Sequence, residues 1–87
     1  MESESENGSQ QLKLIWDNNT DTNVVNYNIF IGFASRSYHT NFEISANTNS
    51  ISFDNLETNR TYYFALTAKD FENIESDYSD EVSYTTP

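Results

Sequence analysis

Cysteine is absent from the 87 residues, which removes a disulfide framework and any thiolate metal site and leaves the core to hold the fold unaided. Glycine and proline are scarce, at two and one. Turns must therefore be built from Asn and Asp, whose side chains bond nearby backbone and tolerate left-handed conformations. Cations are few as well: four Lys and Arg stand against fourteen Asp and Glu, a formal charge of −10. Nucleic-acid binding needs clustered cations on the phosphate backbone and is not expected. The same field repels anionic membrane surfaces, and no apolar run approaches the roughly 18–20 residues of a spanning helix, so no membrane insertion is expected either. Residues 1–10, MESESENGSQ, have neither the basic start nor the apolar stretch of a secretory leader. Acidic, Ser-rich and without a hydrophobic residue after Met1, they read as a disordered segment ahead of one domain over 11–87.

Aromatic residues are plentiful: six Phe, six Tyr and Trp16, in a chain only 36% hydrophobic. Large rings let few residues bury much area, which suits a chain that hides only about 60% of its unfolded surface. Aromatic and β-branched residues favour strands, and period-two alternation recurs throughout while helical spacing does not. QLKLIW sets Leu12, Leu14 and Trp16 on one face with Lys13 and Ile15 on the other. After the polar cluster DNNTDTN, VVNYNIFIGF places Val25, Tyr27, Ile29 and Ile31 inward and Asn26, Asn28 and Phe30 outward. ASRSYHT reads as a connector to a short peripheral strand, NFEISAN, with Phe42 and Ile44 inward. SISFDNL contributes Ile51 and Phe53. TYYFALTAK carries Tyr62, Phe64, Leu66 and Ala68 on alternate positions, and EVSYTT closes the pattern with Val82 and Tyr84. Six short strands bounded by turn signals predict an all-β antiparallel sandwich, with Trp16, Tyr27, Ile29, Phe64, Leu66 and Val82 in its core. The polar link ETNRT between Leu56 and Tyr62 has the length of a crossing between sheets. It fits a tyrosine corner, in which the Tyr62 hydroxyl reaches back to upstream backbone and Leu56 plugs the core beneath the turn.

These residues resemble the fibronectin type III domain from about Leu12 to Thr86. The likeness rests on Trp16, on Y-x-I-x-I at Tyr27 to Ile31, on the Leu56–Tyr62 spacing and on A-x-D at Ala68 to Asp70. NIESDYSDEVSYTT is also similar to the G-N-x-S-x-x-S-N-x-V-x-V-x-T ending of bacterial and phage members. The resemblance implies an immunoglobulin-like sandwich of the fibronectin type III kind, with six to seven strands, and a non-catalytic structural or interaction module. Two departures matter. Members begin with a strand carrying Pro and a buried apolar residue, where this chain has MESESENG. Strand A is therefore expected to be missing, or reduced to a polar edge. The Leu12–Trp16 edge is then open to β-strand addition by a protein partner, unless residues 4–10 pair with it through backbone alone or it stays hydrated. There is also no RGD triplet, so integrin binding is not implied.

Candidate contact residues follow. Outward-facing Phe30 and Tyr63 belong to strands that are neighbours in the family's sheet order. Their pairing either stabilises the sheet or offers an aromatic face to a protein or a sugar ring. Phe71, Ile74 and Tyr78 lie in the acidic segment DFENIESDYSD, expected at one end of the sandwich, where they either bind a partner or cap the core. Six acids between Asp70 and Glu81, with Asp17 and Asp21 expected at the same end, match no ion-binding loop and read as solvated charge rather than a metal site. His39 lacks companions for zinc or a triad and reads as a surface loop residue. Asn7, Asn18 and Asn59 begin N-x-S/T triplets, of consequence only in a eukaryotic secretory pathway. No nucleophile, base and orienting group assemble, so neither catalysis nor a cofactor is expected.

Two settings suit such a module. One is the surface of a large assembly such as a phage virion, where an 87-residue thiol-free chain starting at Met1 would serve as a decoration. The other is a spacer or accessory module of a secreted bacterial glycoside hydrolase or adhesin, which the SYTTP ending favours.

Overall fold

The computed structural model describes residues 2–4, 11–16, 24–54 and 56–87. Seven strands run in chain order: β1 Glu2–Glu4, β2 Leu12–Ile15, β3 Val24–Ala34, β4 Ser37–Ser45, β5 Ser50–Phe53, β6 Thr61–Asp70 and β7 Val82–Thr85. They form two antiparallel sheets, one ordered β1-β2-β5 and the other β4-β3-β6-β7. The inner faces enclose Leu12, Leu14, Trp16, Tyr27, Ile29, Ile31, Tyr62 and Phe64, all buried, with Leu56, Leu66, Val82 and Tyr84 packed around them. This is an immunoglobulin-like β-sandwich. The period-two pattern produces it directly, because alternate residues of each strand turn to the same face.

Of three departures from the sequence expectations, the two at Val25 and at His39 share one physical cause: the ladder slips, and one slipped residue reverses the side chains beyond it. Val25, expected inward, is 49% exposed. The β3–β6 register steps from Val24↔Asp70 to Asn26↔Lys69, so Val25 is the extra residue of a bulge and Val24 takes its place against the core. ASRSYHT is not a connector. Ser35 and Arg36 turn the chain and β4 starts at Ser37, making a nine-residue edge strand from the expected short one. Within it the register jumps from Ile31↔Thr40 to Gly32↔Tyr38, which leaves His39 as a bulged residue and rotates Tyr38 out of the inward parity of Phe42 and Ile44. The close approach there requires glycine: a Cβ on Gly32 would lie 2.1 Å from the Ser37 carbonyl oxygen.

The edge of β2 is not left open. Glu2, Ser3 and Glu4 pair with Ile15, Leu14 and Lys13, so this polar tripeptide takes the place of strand A; the Leu12–Trp16 edge is covered over Lys13–Ile15 from within the chain, by residues 2–4 rather than 4–10. Asp17, Asp21, Asn7 and Asn18 lie outside the described residues.

The corner between the sheets is closed twice. The Glu57 N–H donates to the Tyr62 hydroxyl oxygen at 2.8 Å, while buried Thr86 accepts from the Arg60 N–H at 3.0 Å and donates through its hydroxyl to the Glu57 carbonyl. Asn59 takes the left-handed position of this turn, at φ 56°, a conformation asparagine adopts at small cost.

Candidate functional site

The acidic segment does not project from the end of the sandwich as expected; most of it returns along β6. Two serines make this possible. The Ser76 N–H donates to the Ala68 carbonyl at 2.8 Å and the Ser79 N–H to the Leu66 carbonyl at 2.8 Å. In return the Ala68 and Leu66 N–H groups donate to the two serine hydroxyl oxygens, each at 2.9 Å. Side-chain oxygens thus replace the carbonyls of a ladder, and residues 75–79 become an irregular continuation of β7. At the tip the Asp70 carboxylate accepts the N–H groups of Glu72 and Ile74, each at 2.9 Å, and the turn passes through Asn73 at φ 68°. Phe71 and Ile74 remain there, 66% and 61% exposed.

The returning segment lays Tyr78 on the outer face of the four-stranded sheet beside Phe30, with ring centroids 5.0 Å apart and edge to face. Tyr38, freed by the β4 bulge, completes the group at 5.9 Å from Phe30 and 5.2 Å from Tyr78. The expected Phe30–Tyr63 pair is replaced: Phe30 stands opposite Ala65 and Tyr63 opposite Gly32, and Tyr63 takes no part in these ring contacts. Two of the five expected contact residues therefore meet, and Tyr38 joins them unannounced by the sequence.

Glu81 holds this group. Its carboxylate accepts the Ser35 hydroxyl at 2.7 Å, the Arg36 N–H at 2.8 Å and the Tyr38 hydroxyl at 2.6 Å, tying the β3–β4 turn to the start of β7. Arg36 donates to the Ser79 carbonyl at 3.3 Å and places its guanidinium 5.7 Å from the centre of the Tyr78 ring. Desolvation alone would raise the Glu81 carboxyl, but the Ser35 and Tyr38 hydroxyls, the Arg36 N–H and the Arg36 charge together outweigh it and hold the group below the usual carboxylate range. Burial, reinforced by the bond to Glu81 and its charge, pushes Tyr38 up to about 12. Both directions keep a neutral phenol donating to an ionised carboxylate across the neutral range.

Two grooves flank the rings, and both use Phe30 and Tyr78 as a wall. One, about 360 Å³, runs along β4 past Arg36, Tyr38 and Asn41. The other, about 350 Å³, is completed by Thr67, Glu75, Ser76 and Asp77. In it Glu75 accepts from the Thr67 hydroxyl and, at 3.3 Å, from the Asn28 amide, which is why outward-facing Asn28 and Thr67 are buried. A second ring cluster lies near the corner: Phe33 stacks on His39 at 4.5 Å and carries the Arg60 guanidinium 4.2 Å from its centre. His39 thus belongs to a strand and not to a loop. Among the described residues no three His, Asp or Glu side chains converge as for a metal ion.

No protein-family model matches this chain, and no curated protein matches it. Solved structures do. The FN1–FN3 domains of chicken CNTN1 are similar over 98% of this chain and 28% of theirs, at 18% identity and a TM-score of 0.79. A β-1,2-glucanase from Parabacteroides distasonis is similar over 90% of this chain and 11% of its own, at 25% identity and a TM-score of 0.75. The third fibronectin III domain of human KIAA0343 protein is similar over 99% and 77%, at 14% identity and a TM-score of 0.74. The chain is a fibronectin type III-like domain in fold, and it spans little more than a quarter of the first of these structures and about a ninth of the second.

Proposed function

We propose that this domain is a non-catalytic contact module of a larger protein or assembly, and that its contact face is the outer surface of the four-stranded sheet around Phe30, Tyr38 and Tyr78. The observation that carries this reading is the three-ring group itself, on a side of the sheet that would otherwise be polar and solvated. Tyr78 is 47% exposed, yet its surroundings are fixed by Glu81, Arg36 and the serine pair. Rigid aromatic surface of this kind binds at small entropic cost and is enriched at interfaces. Strand addition at the Leu12–Trp16 edge is a weaker route, since it would first have to displace β1.

A small share of a glucanase chain has this fold, which supports placement as an accessory module within a secreted multidomain protein. The surface of a particle such as a virion is the other setting, and the same face would serve there. A photo-crosslinking residue placed at Tyr78, and in a second variant at Ser52 on the opposite sheet, tests the reading in the producing cell. A discrete adduct from position 78 alone is expected. Adducts from position 52 alone, or none from position 78, would sink it.

A further inference from the structure

We infer that the groove between the Tyr78 ring and Glu75 receives a lysine or arginine side chain from a basic segment of a partner protein. This deepens the contact-face reading and rests on it. The wall is aromatic, Phe30 and Tyr78, and an aromatic ring attracts a cation through its negative face. The protein already uses Tyr78 in that way, since Arg36 approaches its ring from the neighbouring groove. In the acidic groove no cation lines the surface: its charged members are Glu75 and Asp77. Glu75 is pre-positioned by Thr67 and Asn28 beneath it, so a binding cation meets a carboxylate whose ordering is already complete. Asp77 makes no side-chain hydrogen bond or ion pair among the described residues.

Charge at long range points the same way. With a net −10, the chain draws basic segments toward itself and repels acidic ones. A sugar fits less well: Phe30 and Tyr78 meet edge to face and present no continuous flat platform. A calcium ion takes about six to eight oxygen ligands, more than two carboxylates provide.

The test is a titration of the whole isotopically labelled chain, at low salt, with acetyl-tetralysine amide, acetyl-tetraarginine amide, acetyl-tetraglutamate amide and cellotriose. The cationic peptides are expected to shift the Tyr78 and Phe30 ring signals and the Thr67 amide signal saturably, and the other probes are not. Glu75→Gln keeps an oxygen for Thr67 and Asn28, so the fold persists, but it should weaken peptide binding by about fivefold or more. Glu72→Gln removes the same charge at the loop tip and should weaken it by less than about twofold. Equal effects of the two variants, unsaturable shifts spread over the acidic surface, preferential binding of cellotriose, or no response would each overturn the inference. If the peptides fail while the position-78 adduct persists, this inference falls alone; if the adduct is also lost, the contact-face reading falls with it.

Discussion

Tyr62 is anchored at both ends, its ring in the core at 7% exposure and its hydroxyl on the Glu57 N–H at 2.8 Å. Tyr62→Phe keeps the packing and strands that N–H, so it should cost about 1–2 kcal/mol. A lowered urea midpoint with an unchanged slope is the expected result; an unaltered midpoint would show that the bond contributes nothing. Glu81 acts differently, because its effect depends on pH. Its carboxyl is held below the ordinary range in the folded state, so the unfolded chain takes up the proton first as pH falls. The stabilisation is therefore present above the unfolded value of about 4.3 and is lost on acidification through the lower folded value. Glu81→Gln should be less stable than the parent at pH 7 and approach it near pH 3, as seen by denaturant unfolding at the two pH values. Tyr38, raised to about 12, has the opposite consequence: stability present below the unfolded value of about 10 is lost as pH rises toward 12.

Elements are where the sequence reading loses and regains accuracy. The strand cores were legible because Tyr27, Ile29, Phe64 and Leu66 keep strict alternation. Parity is blind to bulges, however. Tyr38 has the inward parity of Phe42 and Ile44, and only the extra residue at His39 turns it outward to Phe30. The acidic segment was legible as to its residues but not its course: Ser76 and Ser79 stand at the S-x-x-S of the family-like ending, yet that spacing does not say that each meets an N–H of β6. Replacing both Ser76 and Ser79 by Ala should free those two N–H groups at about 1 kcal/mol each. Amide exchange at Leu66 and Ala68 is expected to accelerate while that of Ile29 and Phe64 follows only the global loss. Exchange at Leu66 and Ala68 that stays as slow as in the parent would mean the segment holds its course without the serines.

For the whole molecule, charge dominates. Ion pairs are few among the described residues, Arg60–Glu57 at 3.2 Å and Lys69–Glu43 at 3.8 Å, both partly exposed, and the net −10 is an excess of acids that no pairing within the chain can oppose. Self-repulsion at that charge weakens the compact state and is screened within about 10 Å at 0.1 M salt. Thermal unfolding should therefore move to higher temperature as NaCl rises from about 0.02 to 0.5 M. A flat or falling Tm would indicate that local pairs outweigh the general repulsion. The same salt series should weaken any basic partner, linking stability and binding through one field.

Alternation, aromatic content and the Leu56–Tyr62 spacing determined the two-layer sandwich from sequence alone, because each depends on neighbours within a few residues and on the two-residue period of a strand. Which residues share a surface depended on register, and register is a property of pairs of strands. The bulge at His39 and the serine-bonded return of Glu75–Ser79 decided that Phe30, Tyr38 and Tyr78 would meet. Both act through long-range hydrogen bonding, whose partners a local pattern does not specify even where, as with the two serines, it marks the residues.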